Sequence, residues 1–195
     1  YTYLCRGKVF ANAQTGNIVL LSTALFRREW PVVLKYLIPV VSFLIGTAAA
    51  EGIHIRLKNA EKLHWRQIIV LAEILLLFVV GFFPQELNLL ANAFVSFSCA
   101  MQVQTFRKVG GYSYASTMCI GNLRSGTAAL SVYCREKRPE QLKQALYYFG
   151  IIFFFAIGAG GGGNLSMRLG IPAIWVSDVL LLLSFILMFS SKHRD

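Results

Sequence analysis

Charge is scarce in this chain. Of its 195 residues only 14% are Asp, Glu, Lys or Arg, while 56% are hydrophobic. Soluble globular domains carry roughly 25% charged residues. So little polar surface excludes a water-exposed fold and calls for lipid as the solvent. Acid is scarcer still: nine acidic residues face 19 basic ones, for a net charge of +10. In a soluble protein such an excess would suggest nucleic acid. Here the basic residues stand in short clusters between apolar runs, as membrane loops do. The aromatics lie inside the apolar runs, not among the basic clusters where a base-stacking surface would need them. Nucleic acid is therefore excluded as a partner.

Catalytic and metal-binding patterns are missing as well. The four cysteines, Cys5, Cys99, Cys119 and Cys134, form no CxxC pair and no zinc-like spacing, which excludes a disulfide framework and a structural metal. His54, His64 and His193 are scattered, and there is no HExxH, GxSxG or P-loop pattern. The chain is not read as an enzyme, and no catalytic residue or cofactor is expected. The opening residues also lack the charged leader and apolar core of a secretory signal.

What is present is a series of apolar runs. Five long ones cover residues 32–51, 68–83, 87–106, 146–162 and 173–189. A helix that spans the hydrocarbon core needs about 20 apolar residues. Two further segments are short: residues 17–26 (NIVLLSTALF) and 122–133 (NLRSGTAALSVY), each opening on a Gly-Asn pair. At ~1.5 Å per residue each reaches only about half of a ~30 Å core. The links are short and leave no room for a separate soluble domain, so the whole chain reads as one transmembrane domain.

The two halves resemble each other. FANAQTGNIVLLSTAL pairs with YASTMCIGNLRSGTAAL, which sets Gly16 on Gly121 and Asn17 on Asn122, an offset of 105. Next, Gly46 falls on Gly158 and Arg56 on Arg168 at an offset of 112, and Glu73 falls on Asp178, again at 105. Leu-rich helices align with one another too readily to prove anything. The paired Gly-Asn, Leu-Lys and Arg-Leu dipeptides and the paired intramembrane acid carry the case. Repeat one covers 1–84 and repeat two 85–195. Repeat two has a long helix ahead of its Gly-Asn segment and repeat one has not, so a first helix is expected upstream of Tyr1. That gives an all-α polytopic bundle of about three spanning helices per repeat, plus one Gly-Asn segment each.

An odd number of spans inverts one repeat relative to the other. If both short segments span, Lys and Arg divide evenly between the two sides. If both are re-entrant, the division is two to one. Positive residues concentrate on the cytoplasmic side, so the re-entrant topology is preferred, with a cytoplasmic C-terminus.

A half-helix that begins at a Gly-Asn turn leaves backbone N–H groups free at its positive end, where an anion or polar solute can bind. Two such ends from inverted repeats would meet near the midplane, as in many channels and secondary transporters. The candidate substrate-binding residues are therefore Thr15, Gly16, Asn17, Gly121, Asn122 and Arg124. Arg124 sits where a charge is costly and faces a cavity or a partner. Glu73 and Asp178, well inside apolar runs, are candidate coupling or proton-relay groups. Gln102, Gln104 and Asn92 polarise one helix and are expected to hydrogen-bond between helices. The glycines of residues 158–163 would let another helix approach closely, the preferred reading, or would break their own helix.

VFANAQTGNIVLL and MQVQTFRKVGGYSYASTMCIGNLRSG, set in this order in such a bundle, resemble the YoaK-like family of bacterial multi-pass membrane proteins. In the second motif Ile120 stands where Thr is common, and Arg124 follows closely. The resemblance implies a bacterial cytoplasmic membrane and about six spans, and it names no substrate. The leading expectation is a small transporter or channel for a polar or anionic solute. Its rival is a non-transporting membrane scaffold or accessory protein, whose Gly-Asn turns only cap helices. The expected partners are the lipid bilayer, a small polar or anionic solute and, as a homodimer, a second copy of the chain.

Overall fold

The computed structural model describes residues 1–58 and 64–191. Part of the basic loop 56–66 and the last four residues, on which the topology expectation draws, lie outside the described residues. The chain forms two compact units, residues 1–105 with 163–195, and residues 106–162. This division follows spatial contact and cuts across the sequence repeat at 84/85.

The first unit holds α1 (Thr2–Cys5), α2 (Gln14–Phe26), α3 (Trp30–Leu57), α4 (Trp65–Val80) and α5 (Asn88–Thr105). Local chemistry sets the ends. Pro31 sits in the first turn of α3, where its missing N–H costs nothing. His64 caps α4 in a reciprocal box with Gln67, which satisfies two otherwise orphaned donors. The unit closes with the end of α7 (Pro139–Leu169), then α8 (Ile174–Ser191). α5 packs on α3 and α4, and α8 packs on α4.

Glycine permits the closest crossing. A Cβ on Gly46 of α3 would run into the Phe97 carbonyl of α5, so only glycine lets these backbones meet. Five residues further along α3 and seven along α5, Gln104 Nε2 donates to Glu51 Oε2 at 2.6 Å. Gln104 thus bonds between helices as expected. The two contacts advance together along both chains, so α3 and α5 run parallel. Gly81 does the same for α8: a Cβ there would collide with the Trp175 indole, whose Nε1 donates to the Phe78 carbonyl at 3.2 Å.

The second unit begins with a small hairpin, β1 (Lys108–Val109) against β2 (Tyr112–Ser113). Gly110 and Gly111 turn it with positive φ. α6 (Cys119–Glu136) and the start of α7 follow. Tyr148 of α7 donates to the Ser113 carbonyl at 2.9 Å, and its Cβ lies close against Gly126 of α6. Lys137, with φ 56°, ends α6 in a left-handed conformation, and Pro139 starts α7.

One expectation is corrected here. The second Gly-Asn segment is not short. It is part of α6, an 18-residue helix that at ~1.5 Å per residue is ~27 Å long. Polar Arg124, Ser125 and Arg135 interrupted the apolar run without interrupting the helix. By length and composition, three helices among the described residues are long and apolar enough to cross a membrane: Trp30–Leu57, Pro139–Leu169 and Ile171–Phe189. α4 has only 16 residues. α5 carries Asn92, Ser96, Ser98 and Thr105, all buried.

The burial pattern is that of a protein in lipid. Large apolar side chains face outward, including Phe154 at 72% exposure, while Asn17, Gln67, Glu73, Asn92 and Ser96 are buried. Helices associate in lipid through small and polar residues, because tails are as apolar as leucine. Among the described residues, a Cβ at Gly158, Gly160, Gly161 or Gly162 would meet nothing within 4 Å, while one at Gly163 would lie 3.6 Å from Leu4.

Candidate functional site

The Gly-Asn pairs lie within the first turn or so of their helices, not ahead of them. α2 starts at Gln14 and α6 at Cys119, and neither N-cap residue, Ala13 or Met118, bonds through its side chain. Asn17 folds back over the preceding loop. Its Nδ2 donates to the Phe10 carbonyl at 2.5 Å and to Gln14 Oε1 at 2.8 Å, and its Oδ1 accepts from the Phe10 N–H at 3.2 Å.

Asn122 repeats the arrangement 105 residues later. Its Nδ2 donates to the Ala115 carbonyl at 2.8 Å and to the Met118 carbonyl at 3.0 Å, and its Oδ1 accepts from the Ala115 N–H at 3.4 Å. Both amides thus bond the N–H and C=O of the residue seven positions earlier. Gly16 lies under the Phe10 ring, while Gly121 has open space around it. Thr15 and Arg124 are exposed. Thr15, Gly16 and Asn17 belong to the first unit; Gly121, Asn122 and Arg124 belong to the second.

A different constellation lies inside the first unit. A cavity of about 420 Å³ is lined by α4, α5, α8 and the N-terminal segment. Helical spacing brings its residues to one face: Glu73 and Leu77 from α4; Ser98, Cys99 and Gln102 from α5; Ile174, Ser177, Leu181 and Ser184 from α8. Its apolar floor, with Ala11, Leu77, Val95 and Ile174, belongs to one core cluster. Glu73 is 1% exposed, and its Oε1 has no hydrogen-bond partner among the described residues. Among the described residues lining the cavity, Glu73 has the only acidic side chain, and none is Lys, Arg or His.

Asp178, the repeat partner of Glu73, is also buried, and neither of its oxygens has a hydrogen-bond partner among the described residues. It does not line this cavity. Sequence reasoning thus found both acids and Gln102, but it missed the serines of α8, which look like any polar residue in an apolar run.

It also missed Arg6, which reads as one more loop cation. Arg6 is fully buried. Its guanidinium donates to the carbonyls of Val80 at 2.9 Å, Phe83 at 2.7 Å and Pro84 at 3.1 Å, to Asn88 Oδ1 at 3.3 Å and to the Tyr1 hydroxyl at 2.8 Å. It closes off the C-terminal end of α4, where carbonyls are unpaired and the dipole is negative. Asn92 donates to the Arg6 carbonyl at 2.8 Å, a bond from α5 to the turn after α1 and not to another helix.

Residues 1–187 match the family described as "Protein of unknown function (DUF1275)". The chain belongs to this DUF1275 family. It is 26% identical over 209 residues to the UPF0700 transmembrane protein YoaK of Bacillus subtilis (strain 168), covering 98% of this chain and 87% of that relative. The resemblance read from the Gly-Asn motifs is thereby borne out. No solved structure matches the chain. With its apolar helices and its transmembrane relative, this DUF1275 member is a membrane protein.

Proposed function

We propose that the chain is a small transporter or channel for a polar solute, and that the Glu73 cavity is part of the solute path. The observation that carries this reading is a buried acid with an unpaired oxygen, among the described residues, on a sizeable cavity between α4, α5 and α8 of a membrane protein. Ionisable groups at that depth are costly and mark ion or substrate pathways. Pockets of roughly 300–1,000 Å³ with few polar groups are the usual form of small-molecule sites.

The two asparagine rings, 105 residues apart, support an inverted-repeat ancestry with equivalent Gly-Asn turns. In this reading the protein sits in a bacterial cytoplasmic membrane with its C-terminus inside, and Glu73 and Asp178 are its coupling groups. The role is not enzymatic.

The rival reading, a scaffold or accessory protein, draws on those same rings. The side chains of Asn17 and Asn122 are spent on the fold, which lessens their availability to a solute.

Water access to the cavity decides between the two. Ser177→Cys and Gln102→Cys, each in a background without the four native cysteines, are exposed to a membrane-impermeant thiol reagent from either side. The exposed native Cys134, kept alone in a third variant, is the positive control. Labelling of both cavity positions supports a solute path. Protection of both from either side, with Cys134 labelled, overturns it in favour of the scaffold.

A further inference from the structure

Among the described residues, no cationic side chain lines the cavity beside Glu73. The described lining offers hydroxyls and amides from Ser98, Gln102, Ser177 and Ser184, apolar surface from Leu77 and Ile174, and no cationic side chain. A buried carboxylate in that setting is costly unless a positive group is brought to it. Hydroxyl and carboxamide oxygens accept further hydrogen bonds from an N–H donor, while the apolar floor takes a hydrocarbon body. A free anion meets the opposite condition here, because Glu73 repels it and no guanidinium or ammonium replaces its water.

We infer that the cavity is a binding site for a small organic cation, a protonated amine with an apolar body, whose ammonium group pairs with Glu73. This rests on the reading of the cavity as a solute site and narrows the solute class from polar to cationic. Asp178, off the cavity, takes no part in holding the amine. The anion-binding expectation attached to the Gly-Asn turns is separate from this site.

The test uses the purified full chain in nanodiscs and two probes of nearly the same shape, 2-phenylethylammonium and neutral 2-phenylethanol, at neutral pH. Thermal unfolding is followed as each is titrated. The amine is expected to stabilise the protein at concentrations about tenfold lower than the alcohol, a factor set by one charge pair of ~1.4 kcal/mol. In Glu73→Gln that preference falls to about one.

A second variant, Gln102→Lys, places a tethered ammonium on the same cavity and is expected to remove the amine preference even if Glu73→Gln does not fold. Equal stabilisation by both probes in the native chain overturns the cation proposal and leaves the cavity as a solute site. A preference that survives in Glu73→Gln or Gln102→Lys overturns it too, because the amine then binds elsewhere. No stabilisation by either probe removes the proposal and the solute-site reading together.

Discussion

Arg6 and Glu73 are both charged side chains buried in the same unit, and they are treated in opposite ways. Arg6 donates to five acceptors drawn from the end of α4, the turn after it, Asn88 and Tyr1. Glu73 sits on a cavity with an oxygen that accepts nothing. A charge whose bonding is saturated by main chain is there to hold the fold. A charge left unsaturated beside empty space costs stability, and in the reading proposed above it serves a solute.

Removing each charge should therefore move stability by very different amounts. Arg6→Met strips several charge-assisted bonds and takes from the Phe83 carbonyl its guanidinium donor; a loss of about 3–5 kcal/mol is expected. Thermal unfolding in detergent would measure it, and a loss below about 1 kcal/mol would break the contrast. Arg6→Lys should recover only part, since an ammonium lacks the planar fork.

The asparagine rings give an intermediate case. Asn17→Leu removes three hydrogen bonds and strands the Phe10 N–H and C=O, an expected loss of about 2–3 kcal/mol. Asn122→Leu should cost a similar amount, and a cost at only one of the two positions would separate the repeats. The smallest effect belongs to the acid. Glu73→Gln keeps the shape and replaces an acid whose Oε1 has no hydrogen-bond partner among the described residues, so stability should hold or rise, within about 1 kcal/mol. If it falls as far as in Arg6→Met, Glu73 is a structural group after all.

The sequence made some of this legible and hid the rest for identifiable reasons. α3, α7 and α8 announce themselves because their outward faces meet lipid and their apolar runs are long. α6 was read too short, since Arg124, Ser125 and Arg135 break hydropathy while the backbone bonds of a helix continue through them. α7 begins at Pro139, earlier than its apolar run, because proline and Glu140 suit a first turn that carries no apolar stripe.

Glu73 was visible as an acid inside an apolar run. Its cavity was not, because that depends on where α8 sets Ser177 and Ser184 against α5. Arg6 was invisible in its role, since its carbonyl acceptors lie 74 to 78 residues away along the chain. Nothing local distinguishes it from a loop cation.

The asparagine rings also bear on how this protein is free to drift. Each amide grips main-chain atoms at the far end of its loop, and every residue type but proline supplies both of those atoms. The loop positions can therefore change identity so long as the amide remains. Residues 11–17 read ANAQTGN and residues 116–122 read STMCIGN, alike only in their last two letters. In relatives too distant for ordinary alignment, an asparagine seven residues after the start of such a loop is the mark by which the two halves can still be set in register.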